Sequence, residues 1–387
     1  MKTFKNLIIT ALFTGILLAL NLQTVQAQAS EPYAGEPLCL PGVYQSPQSD
    51  CLVMGPAQKL TELAQKGITL PFKPIPGYAP DPAFSIYPVP YLTVGEQAIP
   101  VYATLNDARA RNPARYIEAG FKFLAVYNRV DEDNGIYYQL TDGLWIEAGE
   151  ASTECCIRYG RTNGLLFNQN PETAFGWSLD TIDILKAPGY KAPKTGKQLH
   201  REDMVIIYDL TNVDGVDWFM IGVDQWVERR KVRRFELNNT PPEGVDNNRW
   251  IEINLLEQTL SIYENNQLVF AVLIATGLDP FFTKPGLFQV YKKVEIEAMS
   301  GSFEVDRSDY YYLDDVPWAV YYDEARAIHG TYWHTYFGYP QSHGCVNLTI
   351  GDAKVVYDWV NVGDWVYVWD PSGATPTDPE FYTTGGA

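Results

Sequence analysis

Basic residues are scarce in this 387-residue chain: 29 Lys and Arg stand against 47 Asp and Glu, a formal net charge of −18. Neutralising phosphates takes clustered Lys and Arg, so nucleic acid is excluded as a partner, and tight binding to anionic wall polymers gains no support. The acidic balance serves solubility instead. Long apolar runs are also lacking. The run at residues 7–20 is shorter than the ~20 residues a membrane helix needs, so no membrane span is expected in the mature chain. The Asp306, Asp309 and Asp314 stretch has neither the loop glycine nor the bidentate Glu of a calcium site at the required spacing. Histidine and cysteine are few, four and five residues respectively, so each can be considered singly.

The apolar run follows Lys2 and Lys5 and precedes the small-residue stretch Val25-Gln26-Ala27. A basic end, a short apolar core and a small-residue cleavage site predict a secretory signal peptide over 1–27 and a mature protein that works outside the cytoplasmic membrane, in the cell wall or periplasm. Cysteine usage fits that compartment. Cys39 and Cys51 flank a Pro/Gly/Ser-rich loop and are expected to form a local disulfide. The adjacent Cys155 and Cys156 leave two options open, a vicinal bond or an exchange of partners. Cys345 is the odd one.

Cys345 sits in an unusual setting. Three of the four histidines, His329, His334 and His343, lie within the preceding 16 residues, and Gly344 directly precedes it. A thiol attacks as thiolate, and a surrounding of imidazole and backbone N–H donors is expected to lower its free pKa of ~8.5. Gly344 lets backbone amides approach a developing oxyanion. The residues therefore suggest acyl transfer through a thioester. The pair His329-Gly330, a spacer, and the block Ser342-His343-Gly344-Cys345-Val346-Asn347 closely resemble the signature of the L,D-transpeptidase (YkuD-type) family. Trp333-His334 and Phe337-Gly338 in the spacer are similar to one branch of it, and Thr283-Lys284-Pro285-Gly286-Leu287-Phe288 resembles its Thr-Pro-x-Gly-x-Phe turn, with Lys284 in the first proline's place.

The resemblance implies roles. Cys345 would be the nucleophile and His329 the base, its ring oriented by the Gly330 carbonyl. The amides around Gly344 and Cys345, with His343 nearby, would form the oxyanion hole; for His343 a purely structural hydrogen bond is the competing reading. Ser342 and Asn347 are expected to fix the turn through side-chain-to-backbone bonds. Tyr332, Trp333 and His334, with Ser342 and Asn347, are candidates for the substrate groove, although aromatic side chains more often build core. Asn347 stands where some members carry Arg, which leaves open any charged contact to a substrate carboxylate from that position. Residues 299–318 occupy the place of the family's variable cover, with Tyr310-Tyr311-Tyr312 and Asp314-Asp315 as candidates to shape selection. His200 reads as solvent-exposed.

The expected fold is mainly β. The resemblance covers 248–370 and implies a sandwich-like or barrel-like sheet with a small helix. Within it Ile251, Ile253 and Leu255 alternate with polar residues, residues 268–275 suit a buried strand, and Thr349-x-x-Asp352 predicts a capping box for a helix presenting Ala353, Val356, Tyr357 and Val360. Upstream, residues 28–94 are Pro-rich, with one helix expected at 56–66 and the rest a tether or strap. Residues 95–155 and 156–235 each carry a turn, Asn134-Gly135 or Asp214-Gly215, then large residues ending on Trp145 or Trp226, at a common offset of 81 residues. They resemble SH3-like modules of bacterial wall enzymes; two hairpins of one larger β domain is the equal alternative. Residues 371–387 are expected to be a disordered tail.

By that resemblance the protein is a peptidoglycan L,D-transpeptidase of cell-wall biogenesis and cell shape, with stem peptides as partners, carbapenem-type β-lactams as inhibitors, and no cofactor or metal. Water as acceptor would make it an L,D-carboxypeptidase instead. From a different class, His329, His334, His343 and Cys345 are all residue types zinc accepts, in a non-catalytic wall-binding protein, although their spacing lacks the usual paired-ligand pattern.

Overall fold

The computed structural model describes residues 63–64, 66–68, 73–86, 89–149, 153–155, 162–302 and 306–382. The leader at 1–27, the Cys39–Cys51 bridge and the Cys155–Cys156 side chains lie outside the described residues. Of the helix expected at 56–66, Leu63 and Ala64 are helical and Lys66 is in a turn.

Alternation organises the C-terminal region. Arg249–Asn254 and Thr259–Glu264 pair antiparallel, with Ile251 opposite Ile262 and Ile253 opposite Leu260, so these four apolar side chains share one face. Gln267–Leu273 pairs on one side, and Trp365–Trp369 joins parallel on the other. The inward residues meet Val320, Ile328, Val346 and Leu348 of a second sheet, Ala353 and Val356 of the helix Ile350–Trp359, and its C-cap Val360 in one core. The fold of the described residues is thus mainly β, and in the C-terminal region two sheets and one short helix share this core. That helix begins as expected. Thr349 is its N-cap, accepting from the Asp352 N–H at 3.1 Å and donating to the Asp352 carboxylate at 2.6 Å. The same carboxylate accepts the Asn163 and Gly164 N–H groups, which ties the upstream chain to the helix start.

The second sheet extends beyond the C-terminal region. Its path runs Val346–Leu348, Arg326–Gly330, Tyr311–Asp323, then Phe121–Glu132, Tyr91–Val94 and Thr153–Cys155, with Lys292–Gly301 also paired to Tyr311–Asp323. Gly135–Leu140 and Trp145–Glu147 continue from Phe121–Glu132 as a meander. The first tryptophan-bearing repeat therefore shares backbone hydrogen bonds with the C-terminal region. The second repeat has the same three-strand order, Asp209–Val213, Val216–Gly222 and Gln225–Glu228. It packs Ile184, Val205, Phe219, Val227 and Val232 into a core of its own. Residues 73–86, from the Pro-rich stretch, run as a strap: Gly77–Tyr78 adds to the edge of Leu165–Phe167, and Phe84 packs on the main core. Of the stretch assigned to a tail, residues 379–382 form a 3-10 turn whose Tyr382 is buried and accepts from Arg326 through its carbonyl.

A polar joint holds the hairpin of Lys292–Gly301 and Tyr311–Asp323 to the first repeat. Asp315 adopts φ 48° inside its strand, a conformation that costs a non-glycine residue free energy unless neighbours fix it. Here the Tyr127 hydroxyl and the Thr141 hydroxyl both donate to its carboxylate at 3.0 Å, and the Tyr91 hydroxyl donates to its carbonyl. Asp314 accepts from the Ala125 N–H at 3.2 Å. Burial, followed by the neighbouring Asp315, pushes the Asp314 carboxyl from 3.8 up to about 7. The folded state thus retains a proton that the unfolded chain releases between those values, so this group's contribution to stability falls as pH rises from about 4 to about 7. Asp314→Asn keeps an acceptor for Ala125 and removes the titration. Thermal melts from pH 4 to 8 are expected to show a shallower fall in Tm for this variant than for the native chain; parallel curves would show that Asp314 ionises freely.

Candidate active site

The histidine and the cysteine reach one cavity because two short strands lie side by side in parallel. Ile328 pairs with Val346, His329 with Asn347 and Gly330 with Leu348. Side chains alternate along a strand, so His329, Asn347 and Cys345 all project from one face. They open into a cavity of about 450 Å³ that Trp333, His334, Ser342 and His343 also line. Seven of the ten residues singled out in the sequence thus converge. The remaining walls are Phe121, Met299, Asp309, Tyr311, Leu313 and Gln341.

Gly330, Gly344 and Tyr332 are not among the lining residues. Gly330 supplies its carbonyl, which accepts from Nδ1 of His329 at 3.1 Å. A carbonyl can only accept, so Nδ1 bears the proton and Nε2 presents a lone pair. Gly344 has φ of 120°, and a Cβ there would stand 3.3 Å from Arg326 Nε, so the turn requires glycine. Its N–H donates to Ser342 Oγ at 3.2 Å, while Ser342 Oγ donates to the Cys345 carbonyl at 2.5 Å. Ser342 therefore ties the turn, and in this state the Gly344 amide is engaged locally. Tyr332 lies beneath the cavity, stacked on Tyr91 with ring centres 3.5 Å apart. Its hydroxyl donates to the Asp314 carbonyl.

Burial sets the electrostatics. It pushes His329 down to about 4, the Gly330 carbonyl opposing, so the ring is neutral at pH 7. It pushes the Cys345 thiol up to about 11, against the Ala327 N–H, 3.5 Å from Sγ, and the Arg326 charge. This corrects the expectation of a depressed thiol. The imidazole beside it is itself desolvated and uncharged, and the donors around it do not outweigh the loss of water. The resting pair is neutral thiol and neutral imidazole. His334 is held near 4 by burial and then by His329; its Nε2 lies 2.9 Å from the Asn347 amide. His343 is also lowered by burial, Asp309 opposing, with its ring stacked on Tyr311 and tilted against Phe281. Among the described residues no group of three or more His, Cys, Asp or Glu is arranged to hold a metal ion.

Four further residues position the site: Thr283, which opens the turn read from the sequence at 283–288, and Arg326, Arg201 and Arg233, which carried no motif. Thr283, buried, donates to the Gly344 carbonyl at 2.9 Å and accepts from the Gly277 N–H at 2.8 Å, fixing the cysteine turn from below. Arg326, fully buried, is paired with Asp323 at 2.8 Å beside the thiol. From the second repeat, Arg201 donates to the Phe337 carbonyl and Arg233 to the Gly338 carbonyl, which holds the loop between His329 and Cys345.

Residues 248–368 match the model of the YkuD family, the L,D-transpeptidase catalytic domain. The chain is 25% identical over 161 residues to the protein named Putative L,D-transpeptidase YciB from Bacillus subtilis (strain 168), covering 35% of this chain and 76% of that one. Among solved structures, it matches the catalytic domain of an E. faecium L,D-transpeptidase at 25% identity, over 33% of this chain and 100% of that chain, with a TM-score of 0.29. It matches an L,D-transpeptidase from Stackebrandtia nassauensis at 25% identity, over 34% of this chain, with a TM-score of 0.26; the match spans 58% of that chain. The stretch that carries the site, residues 248–368, is an L,D-transpeptidase catalytic domain.

A neutral resting pair has a kinetic consequence. The rate of Cys345 alkylation by iodoacetamide should climb about tenfold per pH unit from pH 7 to 10, following the thiolate fraction. A plateau already reached at pH 6 would show a preformed thiolate–imidazolium pair instead.

Proposed function

We propose that this chain is a peptidoglycan L,D-transpeptidase that works outside the cytoplasmic membrane, with Cys345 as its nucleophile. The observation that carries the reading is that His329, on one of two parallel strands, and Cys345, in the turn directly before the other, open into one cavity, with the His329 Nδ1–H tied to the Gly330 carbonyl. That bond leaves Nε2 as the base. As Sγ attacks the carbonyl carbon of a donor stem tetrapeptide, Nε2 takes the thiol proton, which matches a thiol that is neutral at rest. The tetrahedral oxyanion is stabilised by amides of the cysteine turn, released from Ser342 as substrate binds, with His343 at its edge. Collapse breaks the amide bond to the terminal D-residue, which leaves as an amine carrying the proton from His329. An acceptor amine then attacks the thioester, loses a proton to His329, and frees the thiol as a new peptide bond forms. Water in the acceptor's place yields the L,D-carboxypeptidase reaction on the same machinery.

Trp333, packed 5.6 Å from the His329 ring, and His334 border the groove beside the reacting pair. Asn347, buried and turned to His334, holds that wall rather than offering a charge. The leader-like segment at 1–27 and the acidic composition support export, and among the described residues no helix is long and apolar enough to cross a membrane.

Family resemblance implies a direct test. Intact-mass spectrometry of the full mature chain with a carbapenem should show one adduct on the native protein and none on Cys345→Ala. His329→Ala should slow adduct formation about 10²- to 10⁴-fold, the usual worth of a positioned base. An adduct that persists on Cys345→Ala, or a native protein that is folded, reduced and unreactive, would overturn the reading.

A further inference from the structure

We infer that the first repeat, residues 95–155, supplies part of the substrate cavity, and that Phe121 is a specificity-determining residue for the methylene-rich side chain of a peptide donor. The inference rests on the acyl-transfer reading for its substrate class and on geometry alone for the wall itself. Phe121 lies far outside the matched catalytic stretch, residues 248–368. It nevertheless lines the same cavity as Cys345 and His329.

The placement is built into the backbone. Phe121 and Phe123 pair in parallel with Tyr311 and Leu313, and the Phe121 N–H donates to the Tyr310 carbonyl at 3.0 Å. Gly120 permits that approach. Its φ is 136°, and a Cβ there would fall 2.0 Å from the Tyr310 oxygen. Two residues on, Phe123 projects from the same face and is 5% exposed, its ring edge-on to Tyr332. Phe121 is fixed between this anchor and the cavity, yet 49% of its surface remains exposed. Its ring meets Phe123 edge-on at 4.8 Å, and the residue lines the cavity.

The chemistry of the walls names the ligand part. Phe121, Met299 and Leu313 form an apolar side, while Gln341, Ser342 and Asn347 form a polar one. A peptide with its scissile carbonyl at Cys345 would lay a long aliphatic side chain along the first wall and its amides along the second. A truncation at Phe121 therefore removes apolar contact from the donor without touching the thiol, the base or the cysteine turn.

The test uses the full mature chain, with the native protein and Phe121→Ala and Phe121→Leu compared in parallel. Kinetics with a tetrapeptide donor bearing a long aliphatic third side chain should show KM raised about five- to tenfold in Phe121→Ala with kcat little changed, and largely restored in Phe121→Leu. In the same variants, Cys345 alkylation by iodoacetamide should be unchanged, while alkylation by a bulky N-aryl maleimide should quicken several-fold. Donor kinetics within twofold of native would overturn the specificity role, and so would both reagents shifting together, which marks a distorted site. If the native protein turns over no donor, the acyl-transfer reading fails. The two reagents then decide the wall: a selective gain for the maleimide upholds Phe121 as a cavity wall, and no gain rejects it.

Discussion

Three backbone pairings, Ile328 with Val346, His329 with Asn347 and Gly330 with Leu348, hold together everything the site requires. His329 and Cys345 are 16 residues apart in the chain, and only the parallel register brings them onto one face. The register is guarded from several sides. Ile328, Val346 and Leu348 are completely buried in the main core, so a slip by one residue would move apolar side chains out of it and polar ones in. Gly330 is closely packed, since a Cβ there would stand 3.0 Å from Pro317 and 3.2 Å from the Ile350 backbone and would press on both. Thr283 holds the far end of the cysteine turn through the Gly344 carbonyl. Core packing, a helix start and a buried hydroxyl thus converge on two strands of five and three residues.

The cost of that confinement is desolvation. A thiol and an imidazole taken out of water are both held in their neutral forms. On the proposed acyl-transfer reading, proton transfer to His329 would accompany attack by Cys345. The upstream repeats belong to the same device. One pairs with the cover hairpin and relieves its strained Asp315 through Tyr91, Tyr127 and Thr141; the other grips the loop before the cysteine through Arg201 and Arg233. Both act on segments that border the cavity.

Much of this was legible in the residues. Ile251, Ile253, Leu260 and Ile262 announced their strands by alternation, and Thr349 and Asp352 announced the helix start. The His-Gly and Ser-His-Gly-Cys blocks marked the site because close backbone approach, a base and a thiol each demand a particular residue type. What escaped has a physical reason. Tyr332 sits in a motif-rich loop, but an aromatic ring gains more by stacking on Tyr91 than by facing a groove, and sequence alone does not show which partner lies below. Phe121 and Arg326 act through contacts across the fold, so no local spacing records them. The raised thiol was missed because neighbours in sequence suggested donors, whereas the balance is set by water excluded in three dimensions. The 81-residue offset did mark two meanders of the same strand order, yet it carried no sign that the first shares a sheet with the cover hairpin.

The account stands or falls on Cys345 receiving an acyl group from a peptide. The measurement that addresses this most directly is mass spectrometry of the full mature protein with a stem tetrapeptide and an amine acceptor, following the free terminal D-residue, the protein mass and the transfer product together. The account predicts a thioester on the peptide containing Cys345, release of the D-residue matched to transfer plus hydrolysis, and loss of all three signals in Cys345→Ala. Release of the D-residue that continues in Cys345→Ala, or that a metal chelator abolishes in the native protein, would contradict it.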